Sequence, residues 1–311
     1  MSQRFAQISD PHLSTLEGVQ PRQLLNKRAL GYLSWRRKRR FEHSPEVLQA
    51  LDRDLAQRDY EQLLVTGDLT HIGLPAEFAQ ARDWLRALGA PEDVALVPGN
   101  HDACVRAPWE ETFALWSEYM APDGAQASDR PTAFPTLRVR GDIAFIGLST
   151  ATPKPPLMAT GTAGAEQVAR LGPVLEDTGA RGLFRVVYLH HCPVAGEEKW
   201  RKRLTDAHRV QEVLEEFGAE LVVHGHGHHG HYTRLNTRHG PVPVIAIPSV
   251  SALGLHGADI AEYNYYTVER SPAGWQLDIN ARRFDRTYGD FVDGESWSLA
   301  LARRPVDTSE P

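Results

Sequence analysis

Five short runs of the chain carry residues that can do chemistry: Asp10-Pro11-His12, Gly67-Asp68, Gly99-Asn100-His101-Asp102, His190-His191 and Gly225-His226-Gly227-His228. Together they offer carboxylates, an amide oxygen and imidazoles. With Cys104 and Cys192 as the sole cysteines, neither a thiolate metal site nor a disulfide framework is available. Imidazole combined with carboxylate oxygen suits borderline divalent metals such as Zn, Mn, Fe, Co or Ni, whereas Mg and Ca prefer mostly oxygen. If each motif continues a strand, alternation puts residues i and i+2 on one side. Asp10 and His12 are then expected to grip one ion together, and His226 and His228 likewise. Asp68 has two oxygens and can bridge two ions. Glycines beside Asp68, Asn100 and His226 allow tight turns and close backbone approach.

Some neighbours compete for the same roles. His224 and His226 have the same period-two spacing as His226 and His228, so His224 can also chelate. His191, His229 and His231 read as supporting or surface residues. His71, three residues past Asp68, is either near enough to meet a substrate or a polar loop residue. Asp102 is expected to orient the His101 imidazole by a hydrogen bond. Cys104 and Cys192 each lie two residues from a site candidate, and are either oxidation-sensitive thiols near a metal or buried and inert.

The motifs need strands to present them. Brief apolar runs at residues 5–8, 62–66, 94–97, 143–148, 184–189 and 220–223 read as buried strands of a layered α/β protein. Helices are expected from Ser44-Pro45, with Val47, Leu48, Leu51 and Leu55 inward, and from Pro75, with Phe78, Ala81, Leu85 and Leu88 inward and Gly89 as the stop. A third is expected over residues 204–217. Alternation over residues 231–236, 242–247, 263–269 and 274–282 reads as hairpins. Two packed sheets flanked by helices follow. From Arg283 the chain reads as a polar, irregular surface tail.

The 311 residues suffice for one large domain. Lys+Arg 34 against Asp+Glu 40 gives a net charge of −6, which argues against general nucleic-acid binding. No basic and apolar leader precedes residues 4–9, and no apolar run is long enough for a membrane span, so a cytoplasmic location is expected.

The ordered set D-x-H, G-D, G-N-H-D, H-H-x-P and G-H-x-H, running from Asp10 to His228, resembles the calcineurin-like metallophosphoesterase superfamily, in the style of its cyclic-nucleotide and glycerophosphodiester phosphodiesterases. The resemblance implies a four-layer α/β/β/α sandwich with two mixed β-sheets flanked by helices. It implies a metallophosphoesterase domain over residues 1–285 with a basic insertion at 18–41, followed by a tail over 286–311. One divalent metal ion would be held by Asp10, His12, Asp68 and His228. A second would be held by Asp68, Asn100, His190 and His226, with Asp68 as the bridge. His101 would contact the phosphate or protonate the leaving oxygen, and Asn100 would share in stabilising phosphoryl charge. His190 is preferred over His191 because it stands first in the H-H-x-P run. Cys192 replaces a usual proline, while Pro193 is retained.

The activity implied is hydrolysis of a phosphodiester by a metal-bridging hydroxide. Two alternatives stand beside it: hydrolysis of a lipid-linked nucleotide pyrophosphate such as a UDP-diacylglucosamine, and a non-catalytic scaffold on the same fold, which the full set of ligand residues disfavours.

The segment 18–41 departs most from a plain domain. Arg22, Lys27, Arg28, Arg36, Arg37, Lys38, Arg39 and Arg40 give +8 with no acidic residue between Glu17 and Glu42. The remainder of the chain therefore carries −14. Leu24, Leu25, Leu30, Tyr32, Leu33 and Trp35 interleave, so an amphipathic helix or helical hairpin with Trp35 near its edge is expected. Residues 22–40 would lie peripherally on anionic lipid, cap the site over an anionic substrate, or pack as a solvated face.

Overall fold

A computed structural model describes residues 2–125 and 134–302. Strand β1 (Gln3–Ile8) leads into a long loop and then the basic segment, helical in pieces: α1 (Arg28–Ser34), a π-helical turn over Trp35–Arg39, and α2 (Arg40–Glu42). There follow α3 (Pro45–Leu55), β2 (Gln62–Val65), α4 (Pro75–Leu88), β3 (Val94–Leu96), α5 (Ser117–Met120), β4 (Thr136–Arg140), β5 (Ile143–Leu148), α6 (Ala165–Ala180), β6 (Phe184–Leu189), α7 (Ala207–Phe217), β7 (Leu221–His224), β8 (His231–Thr237), β9 (Gly240–Ala246), β10 (Glu262–Ser271), β11 (Gly274–Asp285) and β12 (Asp290–Ala302).

The strands form two six-stranded mixed sheets, ordered β12-β11-β10-β1-β2-β3 and β4-β5-β6-β7-β9-β8. β1, β2 and β3 run parallel to one another, as do β5, β6 and β7. Parallel strands buried on both faces are apolar throughout, which is why they read as unbroken hydrophobic runs. Phe5, Leu64, Phe145, Phe184, Tyr266 and Leu277 fill the space between the sheets. On the outer face of the first sheet, Val47, Leu51, Phe78 and Leu85 from α3 and α4 cover Ile8, Leu63 and Val65. On the outer face of the second, Leu171 and Leu175 from α6 and Val210 and Leu214 from α7 cover Ile146 and Val187. These layers are the α/β/β/α sandwich that the motifs implied.

α3 begins as its sequence predicts: Ser44 Oγ accepts from the amides of Glu46 and Val47 at 3.2 and 3.4 Å, with Pro45 at the first helical position. α6 was not expected, because Pro173 sits inside it and reads as a breaker. The irregular tail expected from Arg283 is a further correction. β11 runs to Asp285, and β12 pairs with it along its length as the sheet edge. Trp297, Leu299 and Leu301 pack toward the inter-sheet core while their neighbours face solvent, a pattern that reads as polar in bulk. Residues 303–311 of that tail lie outside the described residues. No helix among the described residues is long and apolar enough to cross a membrane.

Candidate metal centre

The motif residues all follow strand ends on one edge of the sandwich, where loops from both sheets meet. Asp10 and His12 follow β1, Asp68 follows β2, Asn100 and His101 follow β3, His190 follows β6, and His226 and His228 follow β7. Backbone hydrogen bonds zip the first two loops together: the Asp10 amide to Gly67 O at 3.0 Å, His12 to Asp68 O at 3.1 Å and Leu13 to Leu69 O at 2.9 Å. Within the second sheet the amide of Gly225 donates to His190 O at 3.1 Å, and Gln7 Nε2 on His224 O at 3.0 Å joins the two sheets.

Strand alternation does not place the D-x-H and H-x-H pairs. β1 ends at Ile8 and β7 at His224, and Asp10, His12, His226 and His228 adopt left-handed φ of 52°, 43°, 69° and 60°. Asp68 does so too, at 58°. Among the described residues, five of the seven non-glycine residues with positive φ are thus metal candidates. Each such residue costs on the order of 1–3 kcal/mol and persists where its surroundings over-determine it, commonly at functional sites. Gly99 is required by the same crowding, since a Cβ there would collide with Asp68 Oδ1.

The imidazoles are oriented by carbonyls. His12 Nδ1 lies 2.9 Å from Thr70 O and His190 Nδ1 lies 2.7 Å from Thr66 O, so both carry the proton on Nδ1 and direct Nε2 inward. Asp10 is held through Oδ2 alone, by Ser9 Oγ at 2.6 Å and the His226 amide at 3.0 Å. Its Oδ1 is buried without a hydrogen bond, 3.2 Å from His228 Nε2. His12 Nε2 and His226 Nε2 are also buried without a partner. Buried polar atoms left unpaired cost about 1–3 kcal/mol each. Asp10 and His12 belong to one cluster of donor atoms and His226 to another, an arrangement suited to bound cations.

The ligand atoms of Asp10, His12 and His228 lie within 4.8 Å of one another, as do those of Asp10, Asp68 and His190. Asn100 Oδ1 is 3.3 Å from His190 Nε2, which is itself 3.3 Å from Asp68 Oδ2. His190, His191 and His226 form a third group. Both ring nitrogens of His191 are engaged, Nδ1 by Thr150 Oγ1 at 2.7 Å and Nε2 by Ala159 O at 3.1 Å, which leaves it no free lone pair. His224 is buried with Nδ1 on Gly225 O at 3.1 Å and joins none of these groups. His229 and His231 turn outward to Asp259 and Glu197.

Electrostatics match this arrangement. Burial pushes His12, His43, His71 and His226 well below the ordinary imidazole value, so these rings are neutral. Burial opposes charge on His190 as well, but the Asp68 carboxylate overcomes it and lifts His190 to about 9. Asp68 is correspondingly held far below the usual carboxylate range, against the effect of its burial. A cation bound here would take the place of the His190 proton. Burial, then the charge of Arg39, pushes His101 down to about 3.

Asp102 does not orient His101. Its carboxylate accepts from the amides of Asp68, Thr70 and Gly99 at 3.0, 2.9 and 2.9 Å and from Thr70 Oγ1 at 3.0 Å, stapling the second and third loops together. Those amides converge on it because both loops turn back at their glycines. Burial and then the charge of Asp68 raise it to about 7. His101 instead lies 2.6 Å through Nδ1 from His71 O, and its amide donates to Asp68 Oδ1 at 2.7 Å.

Several contributors were not singled out in the sequence. Glu77 accepts from Ser14 Oγ and from the amides of His71, Ile72 and Leu74, and its place as the third residue of a Pro-led helix was a readable capping signal. His43 packs its ring 4.4 Å from that of His12 and has no local signature. His71, which the sequence did single out as either a substrate contact or a polar loop residue, is buried and stacked 5.0 Å from His12. A cavity of about 430 Å³ opens beside these rings, walled by Trp35, Arg40, Phe41 and Leu48. Trp35, expected at the edge of the basic segment, is buried with Leu16, Ile72, Leu74 and Cys104. Cys104 and Cys192 are both buried and free, with burial raising their thiols, Cys192 to about 12, which makes them inert.

Residues 3–230 match the family model for calcineurin-like phosphoesterases. A probable cyclic nucleotide phosphodiesterase of Synechococcus sp. is 38% identical over 63 residues, 18% of this chain, so that the match spans about a quarter (24%) of that relative. The crystal structure of a dimetal phosphatase from Danio rerio is 15% identical, with a TM-score of 0.54 over 97% of this chain and 99% of that one, a likeness of fold. With the family model matched over most of its length and residue types suited to metal binding gathered at one sheet edge, the chain belongs to the calcineurin-like phosphoesterase family.

Proposed function

We propose that the centre is dinuclear and that the protein hydrolyses phosphodiesters. Asp10, His12, Asp68 and His228 would hold one divalent ion; Asp68, Asn100, His190 and His226 would hold the other. The observation that carries this reading is the set of buried, unpartnered atoms Asp10 Oδ1, His12 Nε2 and His226 Nε2, beside imidazoles whose tautomers are set by carbonyls. Divalent ions bound there supply Lewis acidity toward phosphoryl oxygens and toward water. The protein's own part is to fix the donors, exclude competing hydrogen bonds and steady charge on the phosphoryl group through Asn100 and His101. His101 rests neutral, so its passing a proton to a leaving oxygen requires recharging, which an anionic substrate beside it favours.

Diesters are preferred over monoesters on the strength of the partial relative, a probable cyclic nucleotide phosphodiesterase. The test is turnover of bis(p-nitrophenyl) phosphate and p-nitrophenyl phosphate by protein reloaded singly with Mn, Zn, Fe, Co or Ni. We expect diester turnover that chelation abolishes and that Asp68→Ala lowers by about a thousandfold, some 4 kcal/mol of lost stabilisation. Undiminished turnover in Asp68→Ala refutes the two-ion site, and faster monoester turnover refutes the diester preference.

A second reading, action on a lipid-linked pyrophosphate, is favoured by one observation. Leu25 (83% exposed), Leu30, Leu33 and Phe41 stand in solvent among the exposed Arg36, Arg37, Lys38 and Arg40. Such a face suits an anionic bilayer, with about 1 kcal/mol per basic residue near the surface. Flotation with phosphatidylglycerol vesicles but not phosphatidylcholine vesicles supports it, and no binding to either refutes it.

A further inference from the structure

The basic segment reaches into the centre through one residue. Trp35 fills the pocket of Leu16, Ile72 and Leu74, and Arg28 donates through Nε to Ile72 O at 3.0 Å and through a terminal nitrogen to Gly73 O at 2.5 Å. Gly31 lets α1 press against Ile72, where a Cβ would come within 2.5 Å of the isoleucine methyl. From that anchor the π-helical turn carries Arg39 over His101. Turns of this kind are rare and recur at functional sites.

The surroundings of Arg39 are unusual for a guanidinium. It is half-buried and forms no ion pair with a carboxylate among the described residues. Its nearest polar contact is His101 Nδ1 at 3.0 Å, but that nitrogen also lies 2.6 Å from His71 O. One nitrogen serves one of these partners, and the shorter contact to a carbonyl requires a proton on Nδ1. Arg39 therefore faces the edge of another donor, with no acceptor between them. The other groups around it are the His12, His43 and His71 rings, with Asp10 and Asp68 beyond them; those two carboxylates support its charge while burial opposes it. A forked donor that is partly desolvated and lacks an anion is suited to a phosphoryl oxygen pair.

We propose that Arg39 is a substrate-binding residue, supplied by the basic segment, whose guanidinium grips non-bridging phosphoryl oxygens at the metal centre. This rests on the reading of the centre as the place where the phosphoryl group sits. The ligand class is a phosphoester anion or its inorganic phosphate product, recognised by charge and by the fork of two N–H groups.

The test compares Arg39→Met, Arg39→Lys and, as a charge-matched control on the exposed part of the segment, Arg22→Met. For each, metal content, KM and kcat for bis(p-nitrophenyl) phosphate, and calorimetric binding of inorganic phosphate to the metal-loaded protein are measured. Arg39→Met should raise KM and weaken phosphate binding by about ten- to a hundredfold at unchanged metal content, as expected for one charge-assisted contact. Arg39→Lys should recover part of both, and Arg22→Met should match wild type. Wild-type phosphate affinity in metal-replete Arg39→Met overturns the proposal even where the enzyme is active. An inactive wild type that binds phosphate in an Arg39-dependent way refutes the diesterase reading and upholds the anion grip. Should Arg39→Met lose its metal, Arg39→Lys decides: wild-type phosphate binding together with a wild-type KM in that variant overturns the bidentate grip.

Discussion

The loops that carry the candidate ligands and the segment that carries Arg39 meet at His101, yet they are held in opposite ways. In the loops Asp10, His12, Asp68, His226 and His228 sit on left-handed backbone, and hydrogen bonds from neighbouring loops fix Asp10, His12, Asp102 and His190. The segment has one buried aromatic, one arginine bonded to two carbonyls and a row of apolar side chains left in solvent. Rigid donors suit metal binding, where small displacements are costly. A part docked through a few contacts, chiefly Trp35 and Arg28, suits contact with a group whose shape varies. On the reading proposed above, metal binding and substrate contact fall to regions that are held in different ways.

Three substitutions test that division. The largest effect is expected for Trp35→Ala, which removes the segment's anchor at a cost of about 3–5 kcal/mol of docking energy. Hydrogen exchange over residues 28–42 should accelerate and KM should rise while metal affinity holds. A parallel loss of metal affinity would show that the two regions are one rigid unit.

Next, at about 3 kcal/mol, is Arg282→Met, a control on general stability away from both regions. Arg282 pairs with buried Asp54 at 2.6 Å, and Tyr263 also donates to that carboxylate. Burial would raise Asp54, but these bonds outweigh it and hold it below its ordinary 3.8. Stability from a depressed carboxyl is complete above that value and is lost as pH falls through the lower folded one. Chemical denaturation should therefore show the variant weakened at neutral pH, with its deficit shrinking below about pH 4. Metal affinity and KM should stay at wild-type values, and a fall in either would mean that the centre simply tracks global stability.

The smallest effect is expected for Asp102→Ala. Removing the acceptor shared by the Asp68, Thr70 and Gly99 amides should weaken metal binding by about 10–100-fold, or 1.4–2.7 kcal/mol, by titration. Exchange over residues 28–42 should not change, and loosening there would break the comparison from the other side.

Most of the sheet framework was legible because parallel buried strands are continuous apolar runs, and the ends of β2, β5 and β6 fall within a residue of expectation. β12 was not, because an edge strand buries one face only and its alternate polar residues mask it. α6 was hidden by Pro173, whose cost the packing of Leu171 and Leu175 offsets. The role expected for Asp102 failed for a general reason: adjacency in sequence says nothing about which of several converging amides a buried carboxylate will reach.

The kinds of donor, their order and their attachment to strand ends belong to the sequence alone, since each motif is only a few residues long and its chemistry travels with its side chains. Which imidazole nitrogen is free was decided by tertiary structure, because the carbonyls that set it, Thr70 O for His12 and Thr66 O for His190, arrive from loops 58 and 124 residues away. The same holds for the exclusion of His191, occupied by Thr150 and Ala159, and for which of the eight basic residues reaches His101, namely Arg39. Charge and periodicity identify a basic face. Only the packing of Trp35 determines where along the helix that face meets the centre.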